Sequence, residues 1–145
     1  MRRRELRALV ASALAALARE APGHYARLAE LLARTPLQLE LDGPPFVLRF
    51  AGGAHRLEPR AAGGAGTVVR SDAATILAVL EGELELVDAA LADRLFLRGS
   101  VEALSRFESA LGVFADGAVR CASTPALLDE LRASLATLKE TPCPS

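Results

Sequence analysis

Along the first third of the chain the spacing of apolar positions is helical, and it then switches to alternation. From about Arg4 to Arg19, Leu6, Leu9, Val10, Ala13, Leu14 and Leu17 recur on one face of a 3.6-residue period, which predicts an amphipathic helix stopping before Pro22-Gly23. A second helix is predicted from about His24 to Arg34, with Leu28, Leu31 and Leu32 on one side and Thr35-Pro36 as its stop. The period then falls to two. Leu37-Gln38-Leu39-Glu40-Leu41 and Phe46-Val47-Leu48-Arg49-Phe50 alternate on either side of Asp42-Gly43-Pro44-Pro45, the signature of a hairpin with one apolar face. Gly52-Gly53 turns into a weaker strand, His55 to Glu58, which Pro59 suits to an edge or an end. Arg60 to Gly66 is a glycine-rich loop, and Thr67-Val68-Val69-Arg70 is a short strand.

Helix returns after residue 70. Ser71 or Asp72 can cap it, Ala73, Ile76, Leu77 and Leu80 form its stripe, and Gly82 ends it. Glu83–Ala92 predicts a shorter helical piece, and Leu95-Phe96-Leu97-Arg98 the last strand. Gly99 turns the chain into a helix capped by Ser100, with Val101, Leu104, Phe107, Leu111 and Phe114 on one face. Thr124-Pro125 opens the final helix, which carries Leu127, Leu128, Leu131, Leu135 and Leu138. The expected class is α+β, with a mostly antiparallel sheet covered on one face by helices.

Length and composition narrow this picture. The chain has 145 residues, of which 51% are hydrophobic and 24% charged, enough for one core and too few for two. One domain over 1–145 is expected: a helical lead (1–34), the sheet and its helices (35–139), and a flexible tail (140–145). The net charge of −1 leaves no basic excess for nucleic acid. Basic charge is nearly all arginine, with Lys139 the lone lysine, which fits the codon usage of a high-GC host. Trp is absent and Tyr25 is the only tyrosine, so apolar volume comes mainly from Leu, Ala and Val with five Phe.

Arg2-Arg3-Arg4 ahead of Ala8–Ala18, with Ala16-Leu17-Ala18 in small-x-small form, has the outline of an export signal. Glu5 and Arg7 interrupt it, alanine is weakly hydrophobic, and the leucines share one face, so a folded helix is the preferred reading. No stretch is long enough to insert stably in a bilayer. Cys121 and Cys143 are the only cysteines, and two free thiols in a cytoplasmic protein are expected rather than a disulfide or a zinc site.

Catalytic constellations are missing. His24 and His55 have no partner at metal-ligand spacing and are expected to be exposed and without a role. Gly63-Gly64-Ala65-Gly66 meets neither phosphate-loop spacing and precedes a strand instead of a helix. Glu81, Glu83 and Glu85 read as solvated charge, and Ser71, Ser100 and Ser123 as caps or loop residues without a nucleophile elbow. No enzyme activity and no cofactor or metal are expected.

The segment Val68–Leu104 resembles the sterol carrier protein family, the non-specific lipid-transfer kind. Its parts here are the strand Val68-Val69, the Ser71-Asp72 helix start and the Leu80-Glu81-Gly82 stop. The acidic-apolar stretch Glu83–Ala92, the strand Leu95–Arg98 and Gly99 follow. The hairpin across Asp42-Gly43 is similar to the family's first two strands, and the resemblance spans Leu37 to Phe114. The paired helices before Leu37 are a longer lead than such a domain needs, and Asp93 stands where members commonly carry glycine or a small residue.

The resemblance implies a five-stranded sheet with helices over one face and an apolar tunnel between the two layers. Three helical stripes need burial against one small sheet, so surplus apolar surface either lines a cavity or packs between subunits. Assigned by face, the cavity candidates are Phe46, Leu48, Phe50, Ile76, Leu77, Leu80, Leu97, Leu104, Phe107, Leu111, Phe114, Leu128, Leu131 and Leu135. The expected function is non-catalytic binding or carriage of an apolar small molecule or lipid, whether fatty acyl, phospholipid or sterol-like. The alternative is an interaction module of the same fold, its cavity filled, acting as a homodimer or enzyme appendage. The terminal helix is the candidate movable wall.

Overall fold

The computed structural model describes residues 6–59 and 66–140. Two helices come first, α1 (Leu6–Glu20) and α2 (Pro22–Leu32). The strands β1 (Leu37–Leu41), β2 (Phe46–Ala51), β3 (Ala54–Pro59) and β4 (Thr67–Ser71) follow, then the helices α3 (Ala73–Leu80) and α4 (Leu86–Leu91). A short strand β5 (Phe96–Arg98) precedes α5 (Val101–Ala118) and α6 (Thr124–Glu140). The basic run Arg2-Arg3-Arg4, most of the 60–66 loop and Cys143 with residues 141–145 lie outside the described residues.

The five strands form one sheet in the order β3-β2-β1-β4-β5. Only the β1–β4 pair is parallel; the other three are antiparallel. Leu37 faces Leu48 and Thr67, and Leu39 faces Phe46 and Val69, so the alternation in each strand places one continuous apolar face inward. That face is the floor of the main core, completed by Leu14 and Leu17 of α1, Leu28 and Leu32 of α2, and Phe107 and Ala110 of α5. The outer face carries polar pairs at the intervening positions: Gln38 with Glu40, Arg70 with Glu40, and Arg49 with Glu58. Among the described residues, no helix is long and apolar enough to cross a membrane.

The caps fall where the sequence places them. Asp72 Oδ1 accepts from the Thr75 amide at 2.7 Å, and Ser100 Oγ from the Ala103 amide at 3.1 Å. Asp42 adds a second carboxylate to the start of α3, accepting from the Ala73 amide at 2.7 Å. Its own φ of 48° bends the hairpin so that the turn reaches this helix. Ser71 instead donates its hydroxyl to the Arg94 carbonyl. Asp93 has φ 59°, the left-handed conformation that glycine or asparagine adopts at least cost.

Some boundaries differ from the periodicity. α2 begins at Pro22 and not His24, because proline is well suited to a first helical turn. α4 starts only at Leu86: Gly82, at φ 77°, lets the Glu83 and Leu84 amides close on the Ala78 carbonyl and end α3.

A second, smaller cluster lies apart from the main core. It joins Leu9 of α1, Ala73 of α3 and Leu131 of α6, with Leu6, Leu77, Leu127 and Leu135 packed against it. Two polar clasps reinforce α6: Arg132 pairs with Glu81 at the end of α3, and Glu20 at the end of α1 accepts from both the Ser123 amide and hydroxyl.

The two glycines of α5 make opposite predictions. A Cβ on Gly117 would stand 2.6 Å from Leu17 Cδ1 and 2.9 Å from His24 Cβ, whereas one on Gly112 meets nothing within 4 Å. Gly117→Ala should destabilise by about 1–3 kcal/mol through overpacking. Gly112→Ala should stabilise by roughly 0.5–1 kcal/mol by restricting the unfolded chain. Urea denaturation midpoints of the two variants check the pair of signs.

Candidate functional site

Inside the apolar face of the sheet the helices leave a cavity of about 250 Å³. Leu37, Leu39, Leu41, Leu48 and Val69 form its floor. Its walls come from Leu6, Leu9, Val10, Ala13, Leu14 and Leu17 of α1, Leu28 and Leu32 of α2, and Ile76 and Leu80 of α3. Phe107, Ala110, Leu111 and Phe114 of α5 and Leu127, Leu128 and Leu131 of α6 complete the lining, and the space stays partly open to solvent. The volume lies just below the range of about 300–1,000 Å³ usual for ligand pockets.

Of the residues assigned to a cavity by face, Leu48, Ile76, Leu80, Phe107, Leu111, Phe114, Leu128 and Leu131 line this space. Phe46, Phe50 and Leu97 pack in the main core without lining it, and Leu77 and Leu135 pack in the smaller cluster. Leu104 is half-buried on α5 away from the lining. The leucines of α1, α2 and β1 line the cavity as well, although sequence reasoning left them out. Their apolar stripes were visible, but treating the first two helices as a lead set them apart from the cavity.

Among the described residues, only Cys121 and Thr124 bring polar side chains to the lining. Both sit where α5 ends and α6 begins. Cys121 Sγ donates to the Gly117 carbonyl, and Thr124 Oγ1 donates to the Ala118 carbonyl at 2.6 Å. Burial, with Glu20 nearby, pushes the Cys121 thiol up, so it stays protonated. The Ser123 hydroxyl, hydrogen-bonded to Glu20, holds that carboxyl below its ordinary range.

The histidines are partnered rather than exposed and idle. His24 Nε2 lies 2.7 Å from Asp116 Oδ2, joining α2 to α5, and this contact lowers the Asp116 pKa. The Tyr25 hydroxyl accepts from the His55 backbone amide at 2.9 Å. The same hydroxyl is hydrogen-bonded to His55 Nδ1 at 2.7 Å, so Tyr25 holds both the backbone and the ring of His55. The partners are 92 and 30 residues away in sequence, beyond the reach of any local pattern. Glu81 is likewise engaged, with Arg132. Among the described residues, no three His, Cys, Asp or Glu side chains converge as metal ligands would.

The sequence model of the SCP-2 sterol transfer family matches residues 14–112, more than half of the chain. No curated protein matches the sequence significantly. Solved structures share the fold at low identity. A conserved hypothetical protein of Thermus thermophilus is 24% identical, covering 81% of this chain and 87% of that one with a TM-score of 0.50. Sterol carrier protein domain 2 of Helicoverpa armigera is 13% identical over 61% of this chain and 74% of its own, TM-score 0.51. Apo sterol carrier protein 2 of Yarrowia lipolytica is 13% identical over 71% and 89%, TM-score 0.50. The match to the family begins within α1 and ends before α6, so α6 and the first part of α1 extend the cavity wall beyond the matched segment.

The partly buried His55 ring gives a pH prediction. Burial lowers its pKa below the ordinary 6.5, so the unfolded chain takes up this proton first as pH falls. The stability tied to the neutral ring is complete above the unfolded value and declines as pH drops through it toward the lower folded value. His55→Gln should flatten that decline between about pH 7 and pH 5. Urea midpoints across this range measure it.

Proposed function

The chain belongs to the SCP-2 sterol transfer family, and we propose that it binds and carries an apolar ligand in the cavity between sheet and helices. The observation that carries this reading is the lining itself: leucine, isoleucine, valine, phenylalanine and alanine on every side, with two polar side chains at one end. Such a space gains nothing from water, which needs polar partners to enter, and it gains from any apolar chain of matching size. Burying roughly 300 Å² of ligand apolar surface at about 25 cal/mol/Å² is worth on the order of 7 kcal/mol before ordering costs. Those costs take back a large part, so broad, micromolar-type affinity is expected. Acyl, isoprenoid or sterol-like ligands all satisfy this condition.

The pocket is partly open to solvent at the exposed Val119, and a bulky ligand would need a wall to move further. α6 is the candidate, since it is held through the smaller cluster and two polar clasps while the sheet and α5 share the main core. Among the described residues, the lining is apolar apart from Cys121 and Thr124, which supports binding as the role of this space.

A second reading is an interaction module of the same fold. Val87 and Leu91 of α4, Phe96 of β5 and Val101 of α5 are exposed, the material of a contact surface. Size-exclusion chromatography with light scattering separates the two, because a strict monomer leaves that surface without a self-partner.

Native mass spectrometry of the purified protein should show bound lipid, and titration with Nile red should saturate. Leu128→Trp, which fills the cavity, should weaken dye binding by about tenfold or more with the helical circular dichroism retained. Absence of bound lipid together with no saturable binding would contradict the proposal.

A further inference from the structure

The two edges of the sheet are finished differently. In the order β3-β2-β1-β4-β5, the strands β3 and β5 each have one side without a neighbouring strand. On β3 that side is closed. The His55 amide donates to the Tyr25 hydroxyl at 2.9 Å, and the Leu57 carbonyl accepts from Arg7 at 3.1 Å. Both groups therefore point away from β2. Two residues on, Pro59 shares their direction and has no N–H to offer. Tyr25, Arg7 and Pro59 together make β3 a poor template for another strand.

The same alternation fixes the far edge. With His55 and Leu57 turned outward, Val47 and Arg49 bond to β3, and Phe46 and Leu48 bond to β1. Leu37 and Leu39 are thereby committed to β2, and Gln38 and Glu40 to β4. Val68 and Arg70 are left for β5, where they pair with Arg98 and Phe96. Leu97 lies between those two, so its N–H and C=O point out of the sheet. Among the described residues, no hydrogen bond reaches them. The elements flanking β5 in the chain are apolar on the outside: Val87 and Leu91 of α4 and Val101 of α5 are exposed, as is Phe96 itself.

We propose that β5 pairs with β5 of a second copy of this chain, antiparallel about a two-fold axis at Leu97, so that the two sheets become one. The inference rests on reading this surface as a self-contact, and it adds the sheet edge and the register; it is independent of what the cavity holds. Such an axis joins the two copies through a reciprocal pair of backbone hydrogen bonds at Leu97. It also sets Phe96 opposite Arg98 of the partner subunit, at non-hydrogen-bonded positions where side chains approach most closely. Phe96 already takes one guanidinium, Arg70, at 5.0 Å from its ring centre, so the pairing matches ring with cation and not cation with cation. One outward N–H and C=O do not hold a copy alone. Val87, Leu91 and Val101 supply the apolar area that a stable contact needs.

The test follows the full chain by light scattering from micromolar to submillimolar concentration, with hydrogen exchange of the Leu97 amide read by NMR. A dimer is expected, and the Leu97 amide should exchange more slowly as the dimer fills. Leu97→Pro removes the outward donor and keeps the bonds to β4. It should weaken dimerisation by about tenfold or more, whereas Leu97→Val, which retains the N–H, should not. Arg98→Glu leaves the backbone alone and should weaken it by about fivefold with circular dichroism unchanged, which guards against misfolding in the proline variant. A dimer whose Leu97 amide exchanges as fast as in the monomer would overturn the edge pairing and leave the self-contact reading standing. A chain that stays monomeric throughout overturns both.

Discussion

An apolar face as wide as the sheet has to be kept from water, and the elements of this chain are arranged to do so. Leu37, Leu39, Phe46, Leu48 and Val69 stand side by side because strand alternation and the β1–β2–β4 register allow no other placement once one face is apolar. A one-residue slip would expose all of them and bury Glu40, Arg49 and Arg70. Helices must therefore cover this face. Gly117 of α5 admits no Cβ beside Leu17 of α1 and His24 of α2, so these three helices pack closely there, whereas α6 places no side chain in the main core and packs through the smaller cluster.

That asymmetry links packing to use. The main core is continuous from the sheet through α2 into α5, and it supplies the rigid floor and one wall. The remaining cover is held by a smaller apolar cluster with polar clasps at the α1 and α3 ends, each more easily opened than a packed core. A carrier needs this combination: a cavity whose shape persists and a side that yields. The cover also contains the parts of the chain outside the family match.

Much of this was legible in the sequence because it is local. The hairpin across Asp42-Gly43, the caps at Asp72 and Ser100, and the proline opening of α6 each need only a few neighbouring residues. The fold class followed from the order of those elements and from the resemblance over Leu37 to Phe114. What was not legible depends on distant pairings. The parallel β1–β4 ladder joins residues separated by two strands and a loop, and His24 and His55 meet Asp116 and Tyr25 only through tertiary packing. Face assignment placed eight of the fourteen cavity candidates on the lining, since an apolar face shows that a residue is buried but not whether a neighbour fills the space before it. Phe46 and Phe50 are filled against in this way; Leu14 and Leu39 are not.

The central claim is that the space between sheet and helices is where an apolar ligand resides. Nuclear Overhauser contacts between bound decane and the methyl groups of the protein test it most directly. The account predicts contacts to Leu39, Leu111 and Leu131, which line the cavity from floor, wall and cover, and none to Val87 or Leu91 on the surface. Contacts confined to those surface methyls, or absent from the cavity while the ligand is bound, would contradict it.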